Sequence, residues 1–189
     1  MTIQRFIAAF DIATAVGCCD GVPGTPPRVW TWYTSDGGDS RPLKLCYLRR
    51  LLDEYFSSVH VDAVYYEQPV NLRAMMRIGA TDDTIALLRG AVGVVESCAV
   101  HHGIQIVEAI SVQDARQALT GKRTFPRLKG KSTAKDAIID TARMLGVDVA
   151  TDHEADAFAI WWAAGARHNP RLAHLSQPLF ARVPNVTTR

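Results

Sequence analysis

Several features are missing from this chain of 189 residues. There are only four cysteines, Cys18, Cys19, Cys46 and Cys98. Their spacing matches neither a zinc module nor a dense disulfide framework. The expectation is reduced, buried thiols in a cytoplasm. No uninterrupted apolar run approaches the ~20 residues of a membrane span. The opening MTIQRFIAAFDI has no long apolar core followed by a small-residue cleavage site, so no secretory leader is expected. Internal repeats and low-complexity segments are absent. The formal net charge is only +2, from 21 Lys and Arg against 19 Asp and Glu. As an average, that figure points to no particular partner.

What is present suits one globular domain. Hydrophobic residues make up 48% and charged residues 21%, too apolar a mixture for a disordered chain. A chain of this length buries roughly 70% of its unfolded surface and needs no staple to fold. Residues 4–12, 15–20 and 28–34 read as strands joined by short turns, an antiparallel meander. The turns are marked by Gly21, Pro23, Gly24, Pro26 and Pro27, and by Gly37 and Gly38. Helical spacing then takes over in residues 42–57, through Leu45, Leu48, Leu51, Leu52, Tyr55 and Phe56. Residues 61–67 predict a strand, 68–81 a loop, 82–102 a long helix and 104–108 another strand. Ser111 with Asp114 predicts a capped helix over 112–119. Helices are expected over 134–145, capped by Ser132 or Thr133, and over 153–167, capped by Asp152. The fold class expected is α/β, a mixed sheet flanked by helices. Residues 1–168 form the domain and 169–189 an extended tail.

Two strands end in charge. Asp11 follows Phe6–Phe10, and Glu67 follows Val61–Tyr66. A carboxylate on such a strand is costly to bury unless it is paired or holds a cation. The plainer alternative is an exposed strand end that caps a loop, with Thr14 and Gly17 serving a tight turn after Asp11. A third element, DHEADAFAIWWAAGA at 152–166, sets His153 and Asp156 three apart on one helix face. Asp152 and Glu154 fit the roles of cap and dipole complement. Taken together, Asp11, Glu67, His153 and Asp156 are a donor set for Mg²⁺ or Mn²⁺ rather than Zn²⁺. Such clusters suit two-metal phosphodiester hydrolysis.

The small net charge conceals a basic segment. Arg116, Lys122, Arg123, Arg127, Lys129, Lys131 and Lys135 fall within 20 positions that contain no acidic residue. With Gly121 and Gly130 this forms a loop suited to a phosphate backbone, although a merely solvated basic loop has the same composition.

FDIATAVG at 10–17, YYEQP at 65–69, ALTGK at 118–122, STAKDAI at 132–138 and HEADAFAI at 153–160 resemble, in order and spacing, the RuvC-type Holliday junction resolvases. The resemblance covers roughly residues 5–167. It implies an RNase H-like fold with a five-stranded sheet. It also implies a homodimer making paired nicks in four-way DNA junctions, leaving 5′-phosphate and 3′-hydroxyl ends. Two Mg²⁺ ions, with Mn²⁺ as an alternative, are implied as cofactors. Carried over by position, Asp11, Glu67, His153 and Asp156 are the metal ligands. Arg116 and Lys135 are the basic catalytic residues beside the scissile phosphate. Arg73, Arg77, Arg116, Lys122, Arg123, Arg127, Lys129, Lys131 and Lys135 are the DNA-binding set. Ala13 stands where the family often has glycine. Pro69 and Val70 stand where several members carry a wedging aromatic, which Leu72, Met75 or Met76 is then expected to replace. The long basic loop is more like phage-encoded relatives than the chromosomal enzyme.

The helix at 82–102 has two apolar stripes, Ile85/Leu88/Val92/Val95 and Leu87/Ala91/Val94/Cys98. Either one stripe packs on the sheet and the other on a partner copy, or the helix is simply buried by its own chain. Other readings remain: a non-catalytic junction-binding module, a related nuclease for flaps or hybrids, and an actin-like sugar kinase. The kinase would need a second full domain.

Overall fold

A computed structural model describes residues 4–35, 38–77, 79–125 and 133–169. Five strands are laid down in the order expected: β1 Ile7–Asp11, β2 Ala15–Gly21, β3 Arg28–Tyr33, β4 Ala63–Glu67 and β5 Ile106–Ile110. They form one sheet in the order β3-β2-β1-β4-β5. β1 runs antiparallel to β2, and β2 to β3. The β1–β4 and β4–β5 pairs are parallel. The helices are α1 Arg41–Ser58, α2 Leu72–Arg77, α3 Asp82–His101, α4 Val112–Thr120, α5 Thr133–Met144 and α6 Asp152–His168.

Strand alternation sorts the sheet into two buried faces. Ile7, Ala9, Ala63 and Tyr65 point toward α4, α5 and α6. Ala8, Phe10, Val64 and Tyr66 point toward α1 and α3. The result is a three-layer α/β/α domain. Helix α6 is buried along nearly its whole length because Ala155, Ala157, Ala159, Ala163 and Ala164 keep it thin against the sheet.

The structure departs from the sequence expectations in several places. The 68–81 segment is not all loop. It contains α2, six residues long, anchored by the buried Met75 and closed by Ala80 N–H donating to the Met75 carbonyl at 3.1 Å. Fewer than two turns leave too little periodicity to read. The strand expected at 104–108 lies at 106–110. Gly103 turns the chain at φ 81°, and Ile104 packs back on the α1–α3 core before the strand starts. Gly17 lies within β2, not in the turn. Cys18, Cys19 and Cys98 are buried free thiols as expected, whereas Cys46 is exposed.

The buried face of α3 cuts across both predicted stripes. Ile85, Ala91, Val95, Cys98 and Ala99 are buried, while Leu87, Leu88, Val92 and Val94 are half-buried. At 20 residues α3 is, by length and mean hydropathy, apolar enough to cross a membrane, although no unbroken apolar run exists there. Here it packs on α1 above the sheet. The region from 170 onward, expected as a tail, lies outside the described residues.

Candidate active site

The register Phe10↔Tyr66 places the next residues, Asp11 and Glu67, side by side at the carboxyl ends of two parallel strands. Both have the parity of Ile7, Ala9, Ala63 and Tyr65, so both belong to the face covered by α6. Asp11 is only 6% exposed, and Glu67 is half-buried.

The first turn of α6 closes over this edge. Its N-cap is Thr151, not Asp152. The Thr151 hydroxyl accepts from Glu154 N–H at 3.1 Å. Glu154 reaches back to accept from Ala150 N–H at 2.7 Å and from the Thr31 hydroxyl of β3 at 2.9 Å. This is a capping box shifted by one residue, since the acid takes the N–H of Ala150 just before the cap, and the acid is also stapled to the sheet. Glu154 is therefore a buried positioning residue, a role beyond the dipole complement expected of it. The S/T-x-x-E spacing from Thr151 was the available signal. Gly17 completes the fit. A Cβ there would lie 1.9 Å from the His153 carbonyl oxygen, so the helix start rests directly on β2 backbone.

That docking brings His153 Nδ1 to 2.7 Å from Asp11 Oδ2. Asp156, one turn on, is close enough for its charge to raise the pKa of both strand-end carboxyls. Burial is the main cause of each shift. It lifts Asp11 from 3.8 to about 6, where a Glu67 hydrogen bond and Lys135 pull back and Asp156 adds to the rise. Burial, the Asp11 hydrogen bond and the Asp11 and Asp156 charges lift Glu67 from 4.5 to about 8. Asp156 is raised too, by burial first, with Arg116 and Lys135 opposing. Three carboxyls, Asp11 buried and Glu67 and Asp156 half-buried, compete for too few counter-charges and favour either protons or a multivalent cation.

Two cations approach this cluster. Arg116, on α4, acts on Glu67 and Asp156. Its Nε is buried without a hydrogen-bond partner. Lys135, on α5, lies near Asp11 and Asp156, but its ammonium donates to Asp152 at 2.6 Å. Asp152 thus serves as the lysine's partner rather than as a cap.

The structure brings together Asp11, Glu67, His153, Asp156, Arg116 and Lys135. The remaining predicted contacts are peripheral. Arg73 and Arg77 are exposed on α2, just beyond the Glu67 strand end. Lys122 and Arg123 are exposed after α4, and Arg123 folds back to pair with Asp114 at 3.1 Å. Arg127, Lys129 and Lys131 lie outside the described residues. Of the wedge candidates, Met75 is excluded because it is buried. Met76 is 61% exposed, with Val70 and Leu72 exposed around it. A 70 Å³ cavity lined by Ile12, Glu67, Gln68, Val70, Met75 and Arg89, among others, lies between this segment and α3.

No protein-family profile matches the sequence, and no curated protein matches it. Solved structures do match in three dimensions. Thermus thermophilus RuvC is 18% identical, with a TM-score of 0.64 over 86% of this chain and 95% of that one. T. thermophilus RuvC in complex with Holliday junction substrate gives 19% identity and a TM-score of 0.67, over 87% and 96% of the two chains. The yeast mitochondrial Holliday junction resolvase Ydc2 is 8% identical, with a TM-score of 0.57 over 93% and 83%. The domain thus has the RNase H-like fold of the RuvC-type Holliday junction resolvases.

Proposed function

We propose that this protein is a divalent-metal-dependent, structure-selective DNA endonuclease that resolves four-way junctions as a homodimer in the cytoplasm of a bacterial cell. The observation that carries this reading is the convergence of Asp11, Glu67, His153 and Asp156 on one sheet edge, with carboxyl pKa values raised by burial and mutual repulsion. The likeness to resolvases supports it at the level of the fold.

The donor set suits a hard divalent cation: three carboxylates, one imidazole and no sulfur. Asp11, Glu67, His153 and Asp156 would hold two Mg²⁺ ions, or Mn²⁺ in their place. Bound there, the ions would activate water and stabilise the leaving oxygen of a phosphodiester. The chain's own groups divide the remaining work. His153 holds Asp11 through Nδ1, which leaves Nε2 as the ring nitrogen open to a ligand or a proton. Arg116, whose charge acts on Glu67 and Asp156, would set its guanidinium against a non-bridging phosphate oxygen. Lys135 adds positive charge, and Asp152 orients its ammonium. The exposed Arg73, Arg77, Lys122 and Arg123 suit backbone contacts that position DNA without reading sequence. Arg127, Lys129 and Lys131 extend that set in sequence. A two-fold dimer would present two such sites to symmetric strands.

The test is cleavage of synthetic four-way junctions, flaps, duplexes and RNA–DNA hybrids, each with Mg²⁺ and with Mn²⁺, by wild type, Asp11→Asn and Glu67→Gln. Paired nicks in junctions alone are expected, and only from wild type. A variant that cuts at the wild-type rate refutes the site. Preferential cutting of hybrids or flaps refutes the substrate. Tight junction binding without cleavage would make the protein a binding module.

A further inference from the structure

A second group of donors lies on the opposite face of the sheet from the carboxylate cluster. Cys98 and His102 are four apart at the end of α3 and share one helix face. Asp53, on α1, meets them. Its Oδ1 accepts from Cys98 Sγ at 3.1 Å and lies 3.1 Å from His102 Nε2. All three donor atoms lie within 4.8 Å of one another, and among the described residues no other His, Cys, Asp or Glu trio is that tight. We propose that Asp53 Oδ1, Cys98 Sγ and His102 Nε2 form a binding site for a borderline-soft divalent cation of the Zn²⁺ class.

Three observations carry this. First, the chemistry differs from that of the carboxylate cluster. One thiolate, one imidazole and one carboxylate favour Zn²⁺ or Co²⁺ over Mg²⁺. Second, both distances to the carboxylate are nearly those of a bound ion. Tetrahedral angles at ordinary Zn–S, Zn–N and Zn–O lengths put donor pairs roughly 3.3–3.6 Å apart, so the 3.1 Å Asp53–Cys98 and Asp53–His102 contacts need open by only a few tenths of an ångström, with the third pair already within 4.8 Å. Third, the surroundings already orient the ligands. Arg49 Nε donates to the other carboxylate oxygen, Asp53 Oδ2, at 2.7 Å, which fixes the carboxylate plane and leaves Oδ1 toward the trio. The Phe56 ring lies 5.7 Å from the His102 ring. Cys98 is buried, whereas the His102 side chain is 20% exposed, so the trio has a solvent-facing side from which an ion can enter and a water complete the coordination.

Binding balances through protons lost to solvent. The Cys98 S–H bond breaks and its proton leaves as the sulfur becomes a ligand. His102 ligates through Nε2 with a proton on Nδ1 only, and any further ring proton leaves to solvent. The ion replaces both hydrogen bonds to Asp53 and ties α1 to α3.

The test is Co²⁺ binding to the chelator-stripped full chain, read as the sulfur-to-cobalt charge-transfer band and the tetrahedral visible bands. These signals do not arise from an oxygen-and-imidazole site, so they are separable from occupancy of the carboxylate cluster. One equivalent with thiolate ligation is expected, displaced by Zn²⁺. Cys98→Ser should abolish the charge-transfer band, and His102→Asn should weaken binding. Arg49→Gln should retain the band with affinity about 10–100-fold lower. Cys46→Ser, at the exposed thiol, should change nothing. Circular dichroism of each variant separates loss of binding from loss of fold. A folded wild type without the band overturns the proposal, as does a band that survives in folded Cys98→Ser or disappears in Cys46→Ser.

Discussion

Replacing Asp11 by asparagine should make the metal-free protein more stable at neutral and higher pH. The reasoning starts from burial. Asp11 is 6% exposed, its carboxyl is lifted from 3.8 to about 6, and Glu67 and Asp156 crowd it. A carboxyl whose pKa is higher in the folded state binds its proton more tightly there. Its contribution is therefore fully present below about pH 4 and is lost as pH rises through about 6. The shift of about two units corresponds to ~3 kcal/mol at ~1.4 kcal/mol per unit. Asparagine keeps the shape and a polar partner for His153, but carries no charge. Chelator-treated Asp11→Asn should thus be more stable than wild type at pH 8 by up to about 3 kcal/mol, or up to roughly 6–12 °C in Tm for a domain of this size. Urea and thermal melts from pH 4 to pH 8 measure it. The advantage should shrink toward zero near pH 4, where wild-type Asp11 is already protonated. Excess Mg²⁺ should stabilise wild type far more than the variant, because only wild type keeps the full anionic cluster. The reasoning is refuted if the variant is no more stable at pH 8, or if its advantage does not depend on pH.

Gly17→Ala puts a Cβ against the His153 carbonyl. It should cost about 3 kcal/mol or more in urea melts, because backbone rather than a flexible side chain must move. Arg116→Met should lower junction cleavage about 10²–10³-fold with little change in junction affinity by gel shift, if its guanidinium charge serves the reacting phosphate. Met75→Ala, at a buried position, should destabilise by about 2–5 kcal/mol. Met76→Ala, at an exposed one, should stay within about 0.5 kcal/mol of wild type, while reducing cleavage if this segment engages the junction centre. Glu154→Gln removes the charge that binds Ala150 N–H and Thr31. It should reduce stability by about 1–2 kcal/mol and shift the pH profile of cleavage through its effect on the placement of His153.

Much of the fold was legible because its signals are local. The short apolar runs of β1, β2 and β4, bounded by turns or charge, and the 3.6-residue period of α1, α3 and α6 depend only on near neighbours in the chain. The misreadings share a cause as well. Helix α2 is under two turns long and held by the buried Met75, and the start of β5 is set by how Ile104 packs after Gly103. Neither depends on its own residues alone.

Read alone, the sequence determined which residues carry unusual charge. Asp11 and Glu67 are conspicuous because ionised groups at the ends of apolar runs are expensive, and His153 and Asp156 share a face by helical geometry. Only the tertiary structure decided that these residues meet. The β1–β4 register sets Asp11 beside Glu67, and a glycine and a stapled glutamate bring α6 down until His153 touches Asp11. It also joined Asp53 to Cys98 and His102, a trio with no signature in spacing because α1 and α3 are separated by a strand and a short helix. Periodicity and burial cost act along the chain, whereas convergence of side chains depends on packing between elements distant in sequence.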